Sequence, residues 1–368
     1  MLVVSLGAEA QRARRHARHR TKARTHVRAK SRTGKQTRAY ANGLTNANAW
    51  LSRRGIIILE DSVKGVRAFE PFKGNSEAAA QYADVVNSYK KAFPEVNVFC
   101  MVIPNAVAIY CPDSLKAWTK DENTAIKELM TKLDANVTGV NILDTLRSHS
   151  EEPIYSRTDH HWAPLGAYYA ARVFAQVAAT DYRALEEYDV RTIRDYVGSM
   201  WTFTRDMKVK ASPEDFVYYV PKDSSFEAQR IVYRKVKKRI GRRRYQTALM
   251  ASEPESYRFF RHYDDGDGAA YCVFMGGDQN TTSVVTGHKN GRRLMILKDS
   301  YGNALPAFLF GSFEEIHVVD CRYFLQNMRT FVKEKGITDM LFANNLIHAN
   351  MPNIVENYRN FLRQNERK

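Results

Sequence analysis

Short apolar runs alternate with amphipathic segments along most of the chain after residue 54. Apolar runs of four to seven residues predict buried strands, whereas apolar residues that recur at three- and four-residue spacing predict helices. The predicted strands are Gly55–Glu60, Asn97–Ile103, Gly139–Leu143, Leu294–Leu297, Glu315–Val319 and Thr338–Ala343. The predicted helices are Asn75–Phe93, Asp121–Asn136, Ala163–Ala179, Phe324–Lys335 and Ile354–Gln364, with a further helical segment around Ala304–Phe310.

This alternation predicts an α/β fold in which helices cover both faces of a mostly parallel sheet. Ligands bind such sheets at the carboxyl ends of the strands. Polar residues follow several of the predicted strands, which places a candidate site at that edge. These residues are Asn105, Asp144, Asp299, Ser300, Asp320, Asn344 and Asn345.

The alternation fails between residues 181 and 293, which are rich in aromatic and charged residues. Phe216–Val220 and Ala270–Met275 have the composition of strands. We therefore predict a β-rich insertion over the sheet, within a domain that spans residues 46–368.

The net charge of +16 is concentrated in two segments of the 368-residue chain. Residues 11–40 hold twelve Lys and Arg without an acid, and residues 229–244 hold nine more. The rest of the chain is mildly acidic, which excludes a uniformly basic nucleic-acid-binding domain. No run of apolar residues is long enough for a transmembrane helix, and the four cysteines lack the C-x-x-C spacing of a zinc ribbon.

The first 45 residues lack the pattern of a folded domain. Residues 1–10 (MLVVSLGAEA) match the end of an export signal, although a chance apolar start is the alternative. Residues 11–45 predict a disordered basic tail, which either contacts polyanions or serves as a spacer. The segment 229–244 is likewise either a basic ribbon or helix that contacts an acidic polysaccharide or a membrane, or a solvated face.

The segment Thr158–Gly166 (TDHHWAPLG) joins a loop to a predicted helix. In an extended chain, Asp159 and His161 point the same way, so the carboxylate can orient the imidazole as a general base. His160 then faces the opposite side. A metal site built from Asp159, His160 and His161 is the competing interpretation.

The matching nucleophile is Ser300, which follows the predicted strand Leu294–Leu297. A serine at a strand-to-helix turn presents its hydroxyl at the sheet edge, where backbone N–H groups can bind an oxyanion. Because a free serine hydroxyl is unreactive, it needs an adjacent base. The alternative is that Ser300 only caps a helix.

The stretch RTDHHWAPLGAYYA, followed downstream by KDSYGNA, resembles the DHHW family of exported bacterial proteins. That family is similar to the alginate O-acetylation proteins and to SGNH hydrolases. The resemblance implies a three-layer SGNH-hydrolase-like fold, with Ser300 as nucleophile, His161 as base and Asp159 as its orienting carboxylate. It further implies acyl transfer to or from a polysaccharide outside the cytoplasm, with no cofactor or metal.

Departures from the SGNH pattern affect the groups around the serine. Lys298 replaces a glycine before Asp299-Ser300, and the usual G-x-N-D block is absent. Asn344 and Asn345 are candidates to support the oxyanion, as is Gly277. The candidate substrate contacts at the same edge are Arg157, Tyr301, Arg322 and Tyr323.

These inferences predict an exported O-acyl esterase or O-acetyltransferase of a cell-surface or secreted polysaccharide. Its expected partners are the glycan and an acyl donor protein, and no specific nucleic acid. Three alternatives remain: a catalytically silent glycan-binding protein with the same fold, a polyanion binder that works through the basic segments, and a metal-dependent hydrolase.

Overall fold

The computed structural model describes residues 38–40, 47–223, 225–242, 244–278 and 280–364. The strands are β1 (Arg38–Tyr40), β2 (Ala47–Leu51), β3 (Ile57–Asp61), β4 (Gly65–Phe69), β5 (Asn97–Ile103), β6 (Val137–Gly139), β7 (Tyr188–Tyr196), β8 (Glu214–Pro221), β9 (Phe226–Gly241), β10 (Arg244–Ala251), β11 (Glu255–Ser256), β12 (Asn280–Thr286), β13 (Arg293–Lys298), β14 (Glu315–Asp320) and β15 (Asp339–Asn345). The α-helices are α1 (Ser76–Ala92), α2 (Val107–Tyr110), α3 (Glu122–Met130), α4 (Leu143–Ser148), α5 (Pro164–Val177), α6 (Ser199–Thr204), α7 (Met207–Lys210), α8 (Met328–Glu334), α9 (Leu346–Ala349) and α10 (Pro352–Arg363). Short 3₁₀ helices span Asp113–Trp118, Leu185–Glu187, Ala270–Val273, Ser300–Asn303 and Pro306–Phe308.

Nine of these strands form the central sheet, in the order β10-β9-β12-β14-β13-β15-β5-β6, with β11 paired to β9. The five strands from β14 to β6 are parallel to one another, as the alternation of strands and helices predicts. Beyond β14, strands β12, β9 and β10 are paired antiparallel. The sheet is therefore mixed, and its parallel half contains the predicted α/β core.

Helices cover both faces of this parallel half. Phe342 of β15 contacts Tyr82 of α1 on one face, with ring centroids 6.4 Å apart. Cys100 of β5 is the register partner of Phe342 and shares its face, so the preceding Phe99 points to the other. There Phe99 contacts Phe174 of α5 at 5.3 Å. These contacts give the three predicted layers.

Local sequence signals fix the ends of the main helices. The side chain of Asn75 caps α1 by accepting a hydrogen bond from the Ala78 N–H at 3.1 Å. Pro164 begins α5, where a missing N–H breaks no helical hydrogen bond. Gly166 lets this first turn pack directly on the loop before it, because a Cβ there would lie 2.4 Å from the Ile154 carbonyl oxygen.

Two smaller antiparallel sheets accompany the central sheet: β1 to β4 form one, and β7 and β8 form the other. The predicted strand Gly55–Glu60 corresponds to β3, so it lies in the first small sheet and not in the parallel core. The N–H of Ala68 in β4 donates to the Arg157 carbonyl at 2.9 Å. This bond attaches the small sheet to the segment that leads into Asp159.

The region 181–293 contains β7 to β12 and is rich in strands, as expected. Strands β9 and β12 extend the central sheet beside β14, so this part does not lie over the sheet. The predicted strand Ala270–Met275 is wrong, since Ala270–Val273 is a 3₁₀ helix. Gly139–Leu143 is also wrong in part, because β6 ends at Gly139 and Leu143 begins α4. Short apolar runs do not distinguish a buried strand from a buried helical turn.

The predicted export-signal remnant (1–10) lies outside the described residues, as does most of the predicted basic tail (11–45). Within the described ranges, no helix combines the length and the apolar character that crossing a bilayer requires. All four cysteines are free thiols.

Candidate active site

Ser300 lies at the carboxyl edge of the central sheet, two residues after β13, and begins a 3₁₀ helix. Asp299 caps this turn: its side chain accepts from the Tyr301 N–H at 2.9 Å, and its carbonyl accepts from the Gly302 N–H at 3.0 Å. Those two N–H groups are therefore engaged, contrary to the expectation that they would be available for an oxyanion. The serine itself remains 9% exposed.

His161 joins Ser300 to Asp159. Its Nε2 lies 2.8 Å from the Ser300 Oγ, and its Nδ1 lies 2.6 Å from the Asp159 Oδ1. The same carboxylate oxygen accepts from the backbone N–H of His161 at 2.9 Å, which forms a tight turn. The predicted contact between the carboxylate and the imidazole is therefore present, although a turn produces it and not an extended chain.

This turn also changes the position of His160. Its ring does not face the opposite side, as expected, but lies against the His161 ring with centroids 3.7 Å apart. Its Nδ1 is 2.6 Å from the Ser199 hydroxyl. Burial, reinforced by the neighbouring His161, lowers the pKa of His160 to about 3. The ring is therefore neutral at physiological pH.

Aromatic side chains fix the plane of the His161 ring. Tyr271 stacks on it with centroids 3.9 Å apart and planes 5° apart. The Tyr271 hydroxyl donates to the Tyr301 carbonyl at 2.8 Å, and the Trp162 indole N–H donates to the same oxygen, also at 2.8 Å. Tyr301, which follows Ser300, is thereby hydrogen-bonded to Trp162, which follows His161.

Asp159 is buried and ionised. Burial opposes its ionisation, but the adjacent imidazoles of His161 and His160 outweigh burial and hold the pKa of Asp159 well below its ordinary value. Its second oxygen accepts from the Ser199 N–H at 2.8 Å. Gly198 allows this approach, because a Cβ there would lie 2.5 Å from that carboxylate oxygen.

The residues of the competing metal interpretation also lie together. One ligand atom from each of Asp159, His160 and His161 falls within 4.8 Å of the others. Three of the imidazole nitrogens already contact protein oxygens: both of His161 and the Nδ1 of His160. A metal would have to displace the bond to Asp159 or to Ser300 to use His161, so the donor set fits hydrogen bonding better than metal ligation.

Asn344 and Asn345 have partners within the sheet edge. The Asn345 N–H donates to the Asp299 side chain at 2.8 Å, and its side-chain oxygen caps α9. The Asn344 side-chain oxygen accepts from the hydroxyls of Tyr82 and Tyr358. The side-chain N–H groups donate to Asp299 from Asn344 at 3.4 Å and to Asn105 from Asn345 at 2.7 Å. Support of an oxyanion by these residues stays a prediction.

His348 completes the surroundings of Asp299. Its Nδ1 lies 3.0 Å from the Asp299 Oδ2. Burial disfavours both charges, but the pair outweighs it: the pKa of Asp299 is lowered to about 2, and the pKa of His348 is raised. A second buried carboxylate–imidazole pair therefore supports the residue that caps the serine turn.

Of the predicted substrate contacts, the two arginines are engaged in ion pairs. Arg322 pairs with Asp320 at 2.7 Å and with Asp278 at 2.9 Å. Arg157 is directed away from the serine, towards Glu214 and the Pro213 carbonyl. We see no substrate-binding geometry for Arg157.

The remaining predicted residues also have structural partners. The Tyr301 hydroxyl donates to the His160 carbonyl, and the Tyr323 ring lies 5.3 Å from the Arg322 guanidinium. The Gly277 N–H donates to the Phe274 carbonyl at 3.3 Å, and its role at an oxyanion stays a prediction.

Lys298, which replaces the glycine of the SGNH pattern, is buried and ion-paired. Its Nζ lies 2.9 Å from Asp320 and 3.6 Å from Asp278. With Arg322, these residues form a cluster of two cations and two carboxylates beside the serine turn. Gly302 packs on the lysine, since a Cβ there would lie 2.5 Å from the Lys298 Cβ.

Several residues of the site escaped the sequence analysis. Tyr271, Gly198 and Ser199 come from the irregular region, where no periodicity places a side chain. Glu70, just after β4, is a further carboxyl near His161 and His348, and burial raises its pKa. For Tyr271, Gly198 and Ser199, the only visible signal was their position in a region rich in aromatic and charged residues.

Comparisons with known proteins identify relatives of this chain. A family model described as DHHW protein matches residues 43–319. A DHHW family protein from Eubacterium siraeum is 34% identical, with a TM-score of 0.73 over 84% of this chain and 96% of that one. Bacillus cereus PatB1, solved with a sulfonyl adduct, is 19% identical, with a TM-score of 0.60 over 82% and 98%. The O-acetyltransferase domain of Pseudomonas putida AlgJ is more distant, at 12% identity and a TM-score of 0.42 over 85% and 98%. Among curated protein sequences, none matches this chain.

Proposed function

The chain belongs to the DHHW family, and from that premise we propose that it is an exported, serine-dependent O-acyl (acetyl) esterase or O-acetyltransferase. Its substrate is a cell-surface or secreted polysaccharide, and an acyl donor protein is a further partner. The observation that carries the proposal is the unbroken contact from Asp159 through His161 to Ser300, over 2.6 and 2.8 Å.

This contact has the geometry that acyl transfer needs. An imidazole within hydrogen-bond reach of a serine hydroxyl can take its proton, and a buried carboxylate fixes the tautomer and stabilises the imidazolium. Asp159 is ionised and also accepts from the Ser199 N–H, so it is held in place for that task. The roles proposed for Ser300, His161 and Asp159 depend on these contacts.

In the first step, the Ser300 Oγ attacks the acyl carbonyl carbon while its proton moves to the Nε2 of His161. The leaving alcohol departs with that proton, which leaves an acyl-serine. In the second step, water or a sugar hydroxyl gives its proton to His161 and attacks the acyl-serine. The products are acetate or an acetylated sugar, and His161 returns the proton to Ser300.

The fold of the relatives supports a reactive serine. Sulfonyl reagents form covalent adducts with activated serine nucleophiles, and the PatB1 structure holds a sulfonyl adduct. The structural likeness to PatB1 extends over 82% of this chain. We expect a sulfonyl fluoride to label this protein at Ser300.

The test combines hydrolysis of a chromogenic acetyl ester with mass spectrometry after sulfonyl fluoride treatment. The wild type should hydrolyse the ester and gain one adduct on the peptide that contains Ser300. Ser300→Ala should lose both, whereas Ser148→Ala, a control on the exposed surface of α4, should keep both. A wild type that neither turns over nor is labelled would leave a silent glycan-binding protein.

A further inference from the structure

Strands β9 and β10 extend beyond the central sheet as a two-stranded ribbon. The pairing of β12 with β9 ends at Asn280 and Val232. After Val232, β9 pairs with β10 alone, from Tyr233 opposite Ala251 to the hairpin end. We call residues 234–240 and 245–250 the basic ribbon. At about 3.3 Å per residue, its longer strand reaches roughly 20 Å past the sheet.

The basic ribbon leaves the sheet at the same edge as Ser300. β9 is antiparallel to β12, which is antiparallel to β14, so β9 runs in the direction of β14 and β13. In the register, Arg230, Thr282, Val318 and Ile296 lie at one level across these four strands. The chain beyond Arg230 therefore continues past the carboxyl edge. Three strand spacings put it roughly 14 Å to the side of β13.

Both faces of the basic ribbon are open to solvent, and each combines cations with an apolar side chain. One face contains Arg234, Val236 and Lys238, with Met250 opposite Arg234. The other contains Lys235, Lys237 and Arg239, with Tyr245 opposite Arg239. Among the ribbon side chains that the structure describes, four large apolar ones are exposed: Val236 (39%), Ile240 (55%), Tyr245 (64%) and Met250 (41%).

We propose that the basic ribbon is a docking surface for an anionic lipid bilayer. The cations pair with anionic headgroups, and Val236, Ile240 and Met250 enter the boundary between headgroups and acyl chains. Tyr245 lies on the opposite face of the ribbon and takes no part in this contact. A soluble polyanion would use the charges but would leave these apolar side chains in water.

Docking by the basic ribbon would hold the carboxyl edge of the sheet, which contains Ser300, close to the bilayer. The proposal concerns binding alone, so it stands or fails independently of the catalytic roles above.

The experiment measures sedimentation of the full chain with vesicles of phosphatidylcholine, with or without about 30 mol% phosphatidylglycerol. One variant, Lys237→Gln/Lys238→Gln, removes charge and keeps the apolar side chains. A second, Val236→Ser/Ile240→Ser, does the reverse. The control Arg53→Gln/Arg54→Gln removes two exposed cations from the turn between β2 and β3. Every protein retains the basic residues 11–37, whose contribution is therefore common to all.

The wild type should bind the phosphatidylglycerol vesicles and release them at high salt. The glutamine variant should bind at least tenfold more weakly, because a surface cation contributes about fivefold and two act together. The serine variant should also bind at least tenfold more weakly, because two apolar side chains no longer enter the boundary. The Arg53/Arg54 control should bind as the wild type, and hydrolysis of a soluble acetyl ester should be unchanged in all.

Polyphosphate in solution distinguishes the two kinds of partner. If the serine variant binds the vesicles as the wild type does, while the glutamine variant loses both vesicles and polyphosphate, the ribbon is a polyanion site and the proposal is wrong. Equal binding by all variants would also overturn it.

Discussion

The imidazole of His161 lies flat on the phenol ring of Tyr271, with centroids 3.9 Å apart and planes 5° apart. Stacking fixes the ring plane, and Asp159 fixes its rotation through the 2.6 Å contact with Nδ1. Together these contacts direct Nε2 at Ser300. The face of an aromatic ring also attracts a cation, so Tyr271 favours the imidazolium that forms during acyl transfer.

Replacing Tyr271 should therefore slow the reaction without unfolding the protein. We expect Tyr271→Leu to lower kcat for an acetyl ester about tenfold, since a desolvated cation over a ring is stabilised by about 1–2 kcal/mol. Tyr271→Phe keeps the ring and loses the two hydroxyl contacts, to the Tyr301 carbonyl and from the Trp162 indole N–H, so it should stay within about threefold of wild type. Steady-state kinetics measure both. Equal losses in the two variants would show that the hydroxyl and not the ring is responsible.

A methyl group at Gly198 should displace Asp159. The Cβ would lie 2.4 Å from the Asp159 Cβ and 2.5 Å from its Oδ2. A shift of about 1 Å in a catalytic group can cost about 10²-fold in rate, so we expect a loss of that size from Gly198→Ala. Gly241→Ala is the matched control, because its nearest neighbour would be 3.7 Å away. Wild-type activity in the Gly198 variant would contradict the assigned position of Asp159.

The contact of Asp159, His161 and Ser300 could be predicted from the sequence, whereas the residues around it could not. The family resemblance is confirmed. It predicted that Ser300 and His161 meet, although 139 residues separate them along the chain. The i, i+2 spacing of Asp159 and His161 predicted their contact, but the extended backbone predicted for this segment is wrong. The carboxylate accepts from the His161 N–H, and this short-range bond bends the chain and carries His160 to the same side.

Most ion pairs of the two arginines predicted to contact substrate could not be predicted from the sequence, and the role of these arginines towards substrate stays a prediction. The position of an arginine near a strand end does not predict which carboxylates, distant in sequence, will pack against that arginine. Arg157 meets Glu214 from β8, and Arg322 meets Asp278 from the irregular region. Only the pairing of Arg322 with Asp320, two residues away, could have been predicted from the sequence. Tyr271 lies in the same irregular region. Because that region has no periodicity, the stacking of Tyr271 on His161 could not be predicted.

Loss of the charge on Asp159 should separate the two chemical interpretations. Asp159→Asn keeps the size of the side chain but cannot stabilise the imidazolium, and we expect kcat to fall by up to about 10⁴-fold. Chelators should leave the wild-type rate unchanged if the site acts by hydrogen bonding. A wild-type activity that is lost in chelator and restored by a divalent metal would instead support the metal interpretation of Asp159, His160 and His161.

The ion pair of Asp299 with His348 should give the protein a defined pH dependence of stability. The pKa of Asp299 is lowered to about 2 in the folded protein, so its stabilisation is present above its unfolded pKa near 3.8 and is lost as pH falls through 2. The pKa of His348 is raised, so its stabilisation is complete below its ordinary value of 6.5 and is lost as pH rises through the folded pKa. The pair therefore contributes most between about pH 4 and 6.5.

His348→Asn should show this window directly. Removing one partner of a buried pair leaves the Asp299 charge uncompensated, which costs about 3–5 kcal/mol. We expect that deficit at pH 5.5 to 6, and a smaller one as the pH rises and the wild-type histidine loses its proton as well. Arg322, the other cation near Asp299, keeps its charge across this range and does not produce the difference. Urea unfolding at several pH values measures it, and a deficit that does not change with pH would mean that His348 acts by packing alone.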